Sequence, residues 1–259
     1  MGSECCSESE VGRTVIMEKK HCAAIVLAGG QGKRMGTKIQ KQYLDISGKP
    51  LIYYSLHVFE QSQIIDEVIL VVGSGEIEYV QENIVDFYHF NKVSRIVEGG
   101  KERYDSVWNG LQILKERRKS EKEESFVFIH DCARPFVNEE MLERAYEGVE
   151  KYRACVVGVP SKDTVKLSDR NGFAASTPER DRVWIVQTPQ VFERDLYMFA
   201  LENAGENSLE FTDDCALIEN MGGEVLVVKG SEENIKLTTP VDVILAESIL
   251  KNRIKNGNF

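Results

Sequence analysis

The chain has 259 residues, 42% of them hydrophobic, which is enough apolar material for one large α/β core or two small ones. Its formal net charge of −10 argues against non-specific nucleic-acid binding, which needs a basic face to release counterions. No apolar run approaches the roughly 20 residues that cross a bilayer, and no signal-peptide core is evident, so we expect a cytoplasmic protein with no membrane or nucleic-acid partner.

The first segment, residues 1–18, is polar, rich in Ser and Glu and without periodicity. Such composition cannot bury enough apolar surface to offset the entropy of ordering, so we expect a disordered extension. Residues 19–259 are expected to form a single domain. The six cysteines show no metal-ligand spacing, which favours reduced thiols.

An apolar run over Ala23–Ala28 predicts a central parallel strand that is covered on both faces. It leads into the glycine turn Gly29-Gly30-Gln31-Gly32, whose backbone N–H groups can approach phosphate oxygens without an intervening side chain. Arg34 and Lys41 add two positive charges beside this turn. The combination indicates a site for a nucleoside triphosphate and for attack at phosphorus.

Two better-known glycine motifs fit this turn poorly. A Walker loop requires Ser or Thr after its Gly-Lys pair, and no such residue follows here in the required frame. The dinucleotide fingerprint requires a third glycine where this chain has the bulky Met35. A kinase-like ATPase and a dinucleotide oxidoreductase are therefore disfavoured.

Strand and helix patterns then alternate along the chain, which predicts a three-layer, Rossmann-like α/β fold with a mostly parallel sheet. Pro50 is expected at the start of one helix, and Asn138 is expected to cap another. The six predicted strands are Ala23–Ala28, Val68–Val72, Ser94–Val97, Phe126–Ile129, Ala154–Val159 and Val225–Val228, and the predicted helices include Ile77–Val85 and Ser106–Leu114.

The first, fourth and fifth predicted strands each end at a polar motif. These are the glycine turn, His130-Asp131 with Arg134, and Lys162-Asp163-Thr164. Ligands of such sheets bind at the carboxyl ends of the strands, so the motifs are expected to converge on one crevice.

The pattern changes at about residues 161–184. Short strand-like segments flank Asp169-Arg170-Asn171-Gly172, and Asn-Gly is a strong hairpin-turn signal. This segment predicts a projecting β-hairpin arm. Because a lone hairpin is marginal in water, we expect it to pack against a second copy of the chain.

The chain carries several polar and glycine-containing motifs in a fixed order. They are Leu27-Ala28-Gly29-Gly30-Gln31-Gly32-Lys33-Arg34-Met35-Gly36 with Lys41-Gln42, Gly99-Gly100-Lys101-Glu102-Arg103 before Ser106, His130-Asp131-Cys132-Ala133-Arg134-Pro135, Lys162-Asp163-Thr164, Gln187-Thr188-Pro189-Gln190, Thr212-Asp213-Asp214 and Glu233-Asn234-Ile235-Lys236. In this order they resemble the 2-C-methyl-D-erythritol 4-phosphate cytidylyltransferase family, whose members have a nucleotidyltransferase fold. The similarity extends over roughly Cys22 to Leu250.

The resemblance implies transfer of CMP from CTP to methylerythritol 4-phosphate in non-mevalonate isoprenoid synthesis, with Mg²⁺ entering on the triphosphate. It also implies a homodimer in which the arm carries an arginine into the partner's active site. The implied catalytic residues are Arg34, Lys41, Arg180 and Lys236; the implied CTP-binding residues are Ala28, Gly29, Gly30, Gly32, Gly99, Gly100 and Ser106; and the implied acceptor-binding residues are Asp131, Arg134 and Thr164.

Some assignments stay open at this point. Thr212 followed by Asp213 and Asp214 favours a helix cap with acids in the first turn over metal ligation, and the metal ligands remain unknown. Gln40 stands where relatives commonly have proline before the Lys-Gln pair, which predicts a more flexible loop. Transfer to ribitol 5-phosphate and a non-catalytic CTP-binding module remain as alternative functions.

Overall fold

A computed structural model of the protein describes residues 19–30, 40–116, 124–204 and 213–256. The disorder expected for residues 1–18 therefore concerns residues outside this range. The strands are β1 (His21–Leu27), β2 (Asp45–Ile46), β3 (Lys49–Pro50), β4 (Glu67–Val72), β5 (Val93–Glu98), β6 (Ser125–Asp131), β7 (Ala154–Pro160), β8 (Leu167–Ser168), β9 (Ala174–Ser176), β10 (Trp184–Glu193) and β11 (Leu226–Lys229). The α-helices are α1 (Leu51–Gln61), α2 (Ile77–Val80), α3 (Arg103–Glu116), α4 (Glu139–Tyr152), α5 (Arg194–Ala204), α6 (Cys215–Asn220) and α7 (Pro240–Lys255).

Seven strands form the main sheet, in the order β11-β7-β10-β6-β1-β4-β5. Only β10 runs antiparallel to its neighbours β6 and β7 among these strands, and the remaining pairs are parallel. Helices cover both faces, so the predicted α/β class with a mostly parallel sheet is confirmed. In the described part of the chain, no helix has the length and apolar character needed to cross a membrane.

Strand β1 shows why its sequence lacks a polar face. Cys22, Ala24 and Val26 point into a core shared with α1, α4 and α7. Ala23 and Ile25 point the other way, into a core shared with α3, α5 and α6. Because alternate residues enter two different cores, the continuous apolar run is required.

All six predicted strands are present, within three residues of the expected bounds. The strand β10 was not predicted, because Gln187-Thr188-Pro189-Gln190 interrupts its apolar pattern. Its register shifts between Val186 and Gln190, where the proline cannot donate a ladder hydrogen bond.

The helix ends agree with most of the local signals. Asn138 caps α4 by accepting a hydrogen bond from Met141 N at 3.0 Å, as predicted. Pro50 is the N-cap of α1 rather than its first residue. Thr239 caps α7 and Pro240 follows at its first position, an arrangement that a Thr-Pro pair favours.

The sequence also predicts a short strand at Asn234-Ile235-Lys236, and this prediction is wrong. Residues 234–238 form an irregular stretch, in which Leu237 N donates to Ala133 O at 2.8 Å. This hydrogen bond ties the Lys236 segment to the loop after β6.

Within the predicted arm, β8 and β9 pair as an antiparallel hairpin. Gly172 has a φ of +87°, a conformation that favours glycine, and Asp169 accepts hydrogen bonds from Asn171 N and Phe173 N across the turn. Phe173 is 74% exposed and Leu167 is 53% exposed. The hairpin therefore presents apolar side chains to its surroundings.

Candidate active site

A cavity of about 650 Å³ opens at the carboxyl ends of β1 and β6. This is the edge at which open parallel sheets bind their ligands. Its walls are Leu27, Ala28, Gly29, Gly30, Lys41, Gln42, Leu51, Gly100, Lys101, Glu102, Arg103, Ser106, Asp131, Cys132, Ala133 and Lys236.

The first glycine segment lies directly on the end of β4. Ala28 N donates to Val71 O at 2.7 Å, which prolongs the parallel pairing by one residue. A Cβ atom on Gly29 would lie 3.1 Å from Val72 O, tighter than ordinary van der Waals contact. The absent side chain therefore lets the loop pack against the neighbouring strand.

The second glycine segment, between β5 and α3, is even more closely packed. A Cβ atom on Gly99 would lie 2.8 Å from the Ser106 hydroxyl oxygen, and one on Gly100 would lie 2.1 Å from the Asp105 Cβ atom. Ser106 Oγ accepts from Gly100 N at 3.1 Å and donates to Glu102 O at 3.2 Å. The Ser106 hydroxyl thus connects two backbone groups of the loop and stabilises its conformation.

Cationic side chains surround Asp131 on the cavity floor. Lys236 Nζ lies 2.6 Å from one carboxylate oxygen, and Arg103 lies 3.6 Å from the other. Burial alone would raise the pKa of Asp131, but the charges of Arg103 and Lys236 outweigh it and hold that pKa well below its usual range. Asp131 is therefore ionised, and it orients both cations.

Arg103 has a second carboxylate partner behind the cavity wall. Its guanidinium group donates to Asp214 at 2.6 Å, and the Tyr197 hydroxyl donates to the other Asp214 oxygen at 2.7 Å. Gln190 accepts from the backbone N–H groups of Asp214 and Cys215. Asp214 is almost fully buried, so Arg103 is held between two anionic partners.

His130 lies behind Asp131 and is fully buried. Its Nε2 atom contacts Arg134 O at 3.0 Å and its Nδ1 atom contacts the Thr188 hydroxyl at 3.0 Å. Since a carbonyl only accepts, the proton belongs on Nε2, and Thr188 donates to Nδ1 while it accepts from Asp131 N. Burial lowers the pKa of His130 to about 4, so the ring is neutral and supports Asp131 structurally.

Cys132 also lines the cavity, and its thiol is a possible nucleophile. Burial raises its pKa to about 12, which keeps the thiol protonated at neutral pH. The cavity therefore offers the cations Lys41, Arg103 and Lys236 rather than an activated cysteine.

A model of the 2-C-methyl-D-erythritol 4-phosphate cytidylyltransferase family matches residues 22–252. The chain belongs to this family. Relatives of that name from Alkaliphilus oremlandii and Clostridium botulinum are 43% and 45% identical, over 89% and 88% of this chain and 95% and 97% of their own lengths. The crystal structure of 4-diphosphocytidyl-2C-methyl-D-erythritol synthase from Anaerococcus prevotii is 31% identical with a TM-score of 0.77, covering 90% of this chain and 97% of that one.

Most of the residues predicted for this cytidylyltransferase site meet at the cavity. Its walls include Ala28, Gly29, Gly30, Lys41, Gly100, Ser106, Asp131 and Lys236, and Gly99 lies directly behind Ser106. The predictions for Gly32, Arg34 and Thr212 concern residues outside the described part of the chain.

Three predicted residues of the cytidylyltransferase are not part of the cavity wall. Arg134 donates to the backbone carbonyls of Asn234 and Val186, and so ties the β6 loop to two other segments. Thr164 and Arg180 are exposed and lie in the arm segment, away from the cavity wall of their own chain.

Arg103 belongs to the Gly99–Arg103 motif of this cytidylyltransferase, but no sequence signal indicated a role for it. Asp214 was expected in the first turn of a helix. Asp214 instead occupies the N-cap position of α6 without capping it, and its carboxylate holds Arg103. The two residues are 111 positions apart, and no local pattern reports such a pair.

Proposed function

We propose that this cytidylyltransferase transfers CMP from CTP to 2-C-methyl-D-erythritol 4-phosphate and releases pyrophosphate. The observation that carries the proposal is one cavity that is lined by two glycine segments and by Lys41, Arg103 and Lys236. Backbone N–H groups and cations in the same cavity suit a ligand with several phosphates. The reaction belongs to non-mevalonate isoprenoid synthesis.

The reaction needs no covalent enzyme intermediate. An anionic phosphate oxygen of the acceptor attacks the α-phosphorus of CTP, and a new P–O bond forms as the bond to the bridging oxygen breaks. Pyrophosphate leaves with that electron pair, and no proton has to be removed from the nucleophile. Catalysis then rests on alignment and charge neutralisation.

Each segment of the cavity has a role in this proposal. The Gly29-Gly30 backbone cradles the triphosphate, while the Gly99-Gly100 segment and Ser106 receive the cytosine ring. Lys41 and Arg34 neutralise charge that develops at the α-phosphate. Lys236 binds the acceptor phosphate, with Asp131 holding that lysine in place.

Magnesium is proposed to arrive with CTP. The described residues contain no group of three or more His, Cys, Asp or Glu side chains able to hold a metal ion. The cavity wall offers the carboxylates of Asp131 and Glu102. These two carboxylates fit Mg²⁺, which binds proteins through few carboxylates together with substrate phosphates and water. When bound, the metal ion would neutralise charge on the phosphates.

We also propose a homodimer built through the arm of a single nucleotidyltransferase domain, with Arg180 and Thr164 completing the partner's acceptor site. Their exposure in the arm and the apolar surface of Phe173 and Leu167 support this arrangement. A cytosolic location is proposed too, since Cys22, Cys132, Cys155 and Cys215 are free thiols.

The test is a product assay with CTP and Mg²⁺. Methylerythritol 4-phosphate, ribitol 5-phosphate and no acceptor are compared, with both pyrophosphate and the cytidyl product measured. We expect stoichiometric formation of both only with the erythritol phosphate. Turnover only with ribitol 5-phosphate would overturn the acceptor, and saturable CTP binding without turnover would support a binding module instead.

A further inference from the structure

Three separate segments of the cavity are attached to one short stretch of backbone at the end of β4. Gly99 N donates to Val72 O at 2.7 Å, and Gly29 packs against the same carbonyl group. The next residue, Gly73, begins the turn that leads to Glu76. The position of this stretch therefore affects both glycine segments and the Glu76 side chain.

The Glu76 carboxylate is fixed against that turn. Gly73 N donates to Glu76 Oε2 at 3.1 Å, and Glu76 N donates to Gly73 O at 3.2 Å. A Cβ atom on Gly73 would lie 2.8 Å from the Glu76 Cδ atom, so only glycine leaves room for the carboxylate in this place. Glu76 is therefore held in a fixed position relative to the end of β4.

The same carboxylate oxygen holds the segment that carries Lys41. Lys41, Gln42 and Tyr43 form a single 3₁₀ turn, and the Tyr43 hydroxyl donates to Glu76 Oε2 at 2.8 Å. Gln42 Nε2 lies 3.5 Å from that oxygen. Burial, together with the hydrogen bond to Glu76, raises the pKa of Tyr43 above its usual range, so the phenol remains a donor at working pH.

Hydrogen bonds between near neighbours also shape this turn. Its backbone bonds are Tyr43 N to Gln40 O and Leu44 N to Lys41 O, and Gln40 has no ring to fix its dihedral angles. A side-chain bond joins Gln42 to Gln40 within the same segment. The Tyr43–Glu76 bond, with the longer contact of Gln42 to the same oxygen, connects the turn to the end of β4, over 33 residues of sequence.

We propose that Glu76 and Tyr43 are positioning residues that hold Lys41 beside the α-phosphate of CTP. This inference rests on the proposed function, because it needs Lys41 to act on CTP. The Tyr43–Glu76 bond connects the Lys41 segment to the end of β4, which also contacts both glycine segments. All three parts of the proposed CTP site are therefore positioned by the end of β4.

The first variants are Tyr43→Phe, Glu76→Ala and Glu76→Gln. A displacement of about 1 Å can cost on the order of a hundred-fold in rate, so we expect kcat to fall about ten- to a hundred-fold in Tyr43→Phe and Glu76→Ala. The KM for CTP should change less than about three-fold, since the glycine segments remain. Glu76→Gln keeps an oxygen that accepts from Tyr43, and it should retain most of the activity.

The matched control is Tyr79→Phe. The Tyr79 ring packs edge-on against Tyr43 with ring centres 5.2 Å apart, but the Tyr43–Glu76 bond does not involve its hydroxyl. It should keep wild-type kcat. Thermal unfolding of every variant shows whether a loss of rate comes with a loss of folding.

Double variants distinguish an effect of Tyr43 on the position of Lys41 from a general disturbance of the fold. If Tyr43 acts through Lys41, Tyr43→Phe should lower kcat in the wild-type background but not further in Lys41→Ala. Equal fold losses in both backgrounds, or a Tyr43→Phe enzyme with wild-type kcat, would overturn the positioning role alone. A Lys41→Ala enzyme with wild-type turnover would instead contradict the catalytic role in the proposed function, and this inference with it.

Discussion

Arg103 joins the reaction cavity to the buried interior. Its side chain is 32% exposed, whereas that of Asp214 is only 3% exposed. Removing one partner of such a pair leaves a buried carboxylate uncompensated except by the Tyr197 hydroxyl. The energetic role of Arg103 is therefore distinct from whatever it contributes to binding phosphates.

We predict that Arg103→Ala lowers the free energy of unfolding by about 3 kcal/mol, the low end for a broken buried pair, and also lowers kcat/KM. Urea unfolding and steady-state kinetics measure the two effects. Arg95→Ala is the matched control, because Arg95 is exposed on β5 and donates to the Ser94 carbonyl. Equal stability of the two variants would refute the structural role of Arg103.

His130 gives the protein a defined response to acid. The unfolded histidine titrates near pH 6.5, while the folded pKa is lowered to about 4. Between these values the unfolded chain binds a proton that the folded protein does not, so stability falls as the pH drops from about 6.5 to about 4. The expected loss from this group is about 3 kcal/mol.

Urea unfolding between pH 4 and pH 8 tests this expectation. His130→Gln should flatten the slope in that window, whereas His89→Asn, which removes an exposed histidine, should leave it unchanged. The contribution of Asp131 lies lower: its lowered pKa supplies stability above about pH 4 that is lost on further acidification. A His130→Gln variant with the wild-type slope would contradict the account.

At the scale of elements, the start of α7 positions Lys236. Asp242 accepts from the backbone N–H and hydroxyl groups of both Thr238 and Thr239. Although burial opposes it, these donors lower the pKa of Asp242. The capping box therefore fixes the backbone shortly after Lys236, and the hydrogen bond from Leu237 N to Ala133 O fixes the residue next to it.

Asp242→Ala is predicted to cost about 1–2 kcal/mol of stability and to raise the KM for the acceptor more than the KM for CTP. Asp242→Asn keeps an accepting oxygen and should lie between this variant and the wild type. Thermal unfolding measures the change in stability, and kinetics with each substrate varied in turn give the two KM values. Equal effects on both KM values would argue against a local influence on Lys236.

The elements also show what local sequence can and cannot predict. Strands buried on both faces, such as β1, were predictable because a continuous apolar run that leads into glycines can be recognised within a short stretch of sequence. The strand β10 was not, because its polar centre is satisfied by tertiary bonds: Gln190 to α6, Gln187 to Ser231, and Thr188 to His130. The pairing of Arg103 with Asp214 was hidden for the same reason.

For the whole molecule, the proposed arrangement combines residues of two chains in each site. Lys41 lines the cavity of its own chain, whereas Arg180 lies in the exposed arm. If the arm of one chain completes the site of its partner, a mixed dimer of two different inactive variants can contain one complete active site.

We predict that a heterodimer of Lys41→Ala and Arg180→Ala chains, isolated with two different tags, regains about half of the wild-type rate per dimer, because one of its two sites carries both native residues. Each homodimeric variant should be nearly inactive. A heterodimer as inactive as its parents would show that Arg180 does not act across the interface.

We propose that cytidylyl transfer takes place in the cavity at the ends of β1 and β6. The measurement that tests this placement is the rate of pyrophosphate release from CTP and Mg²⁺ that depends on methylerythritol 4-phosphate, for wild type, Lys236→Ala and Lys251→Ala. Lys251 lies exposed on α7 and serves as the matched control. We predict equal rates for wild type and Lys251→Ala, and a rate on the order of a hundred-fold lower for Lys236→Ala. A Lys236→Ala enzyme with the wild-type rate would show that the reaction does not take place in this cavity.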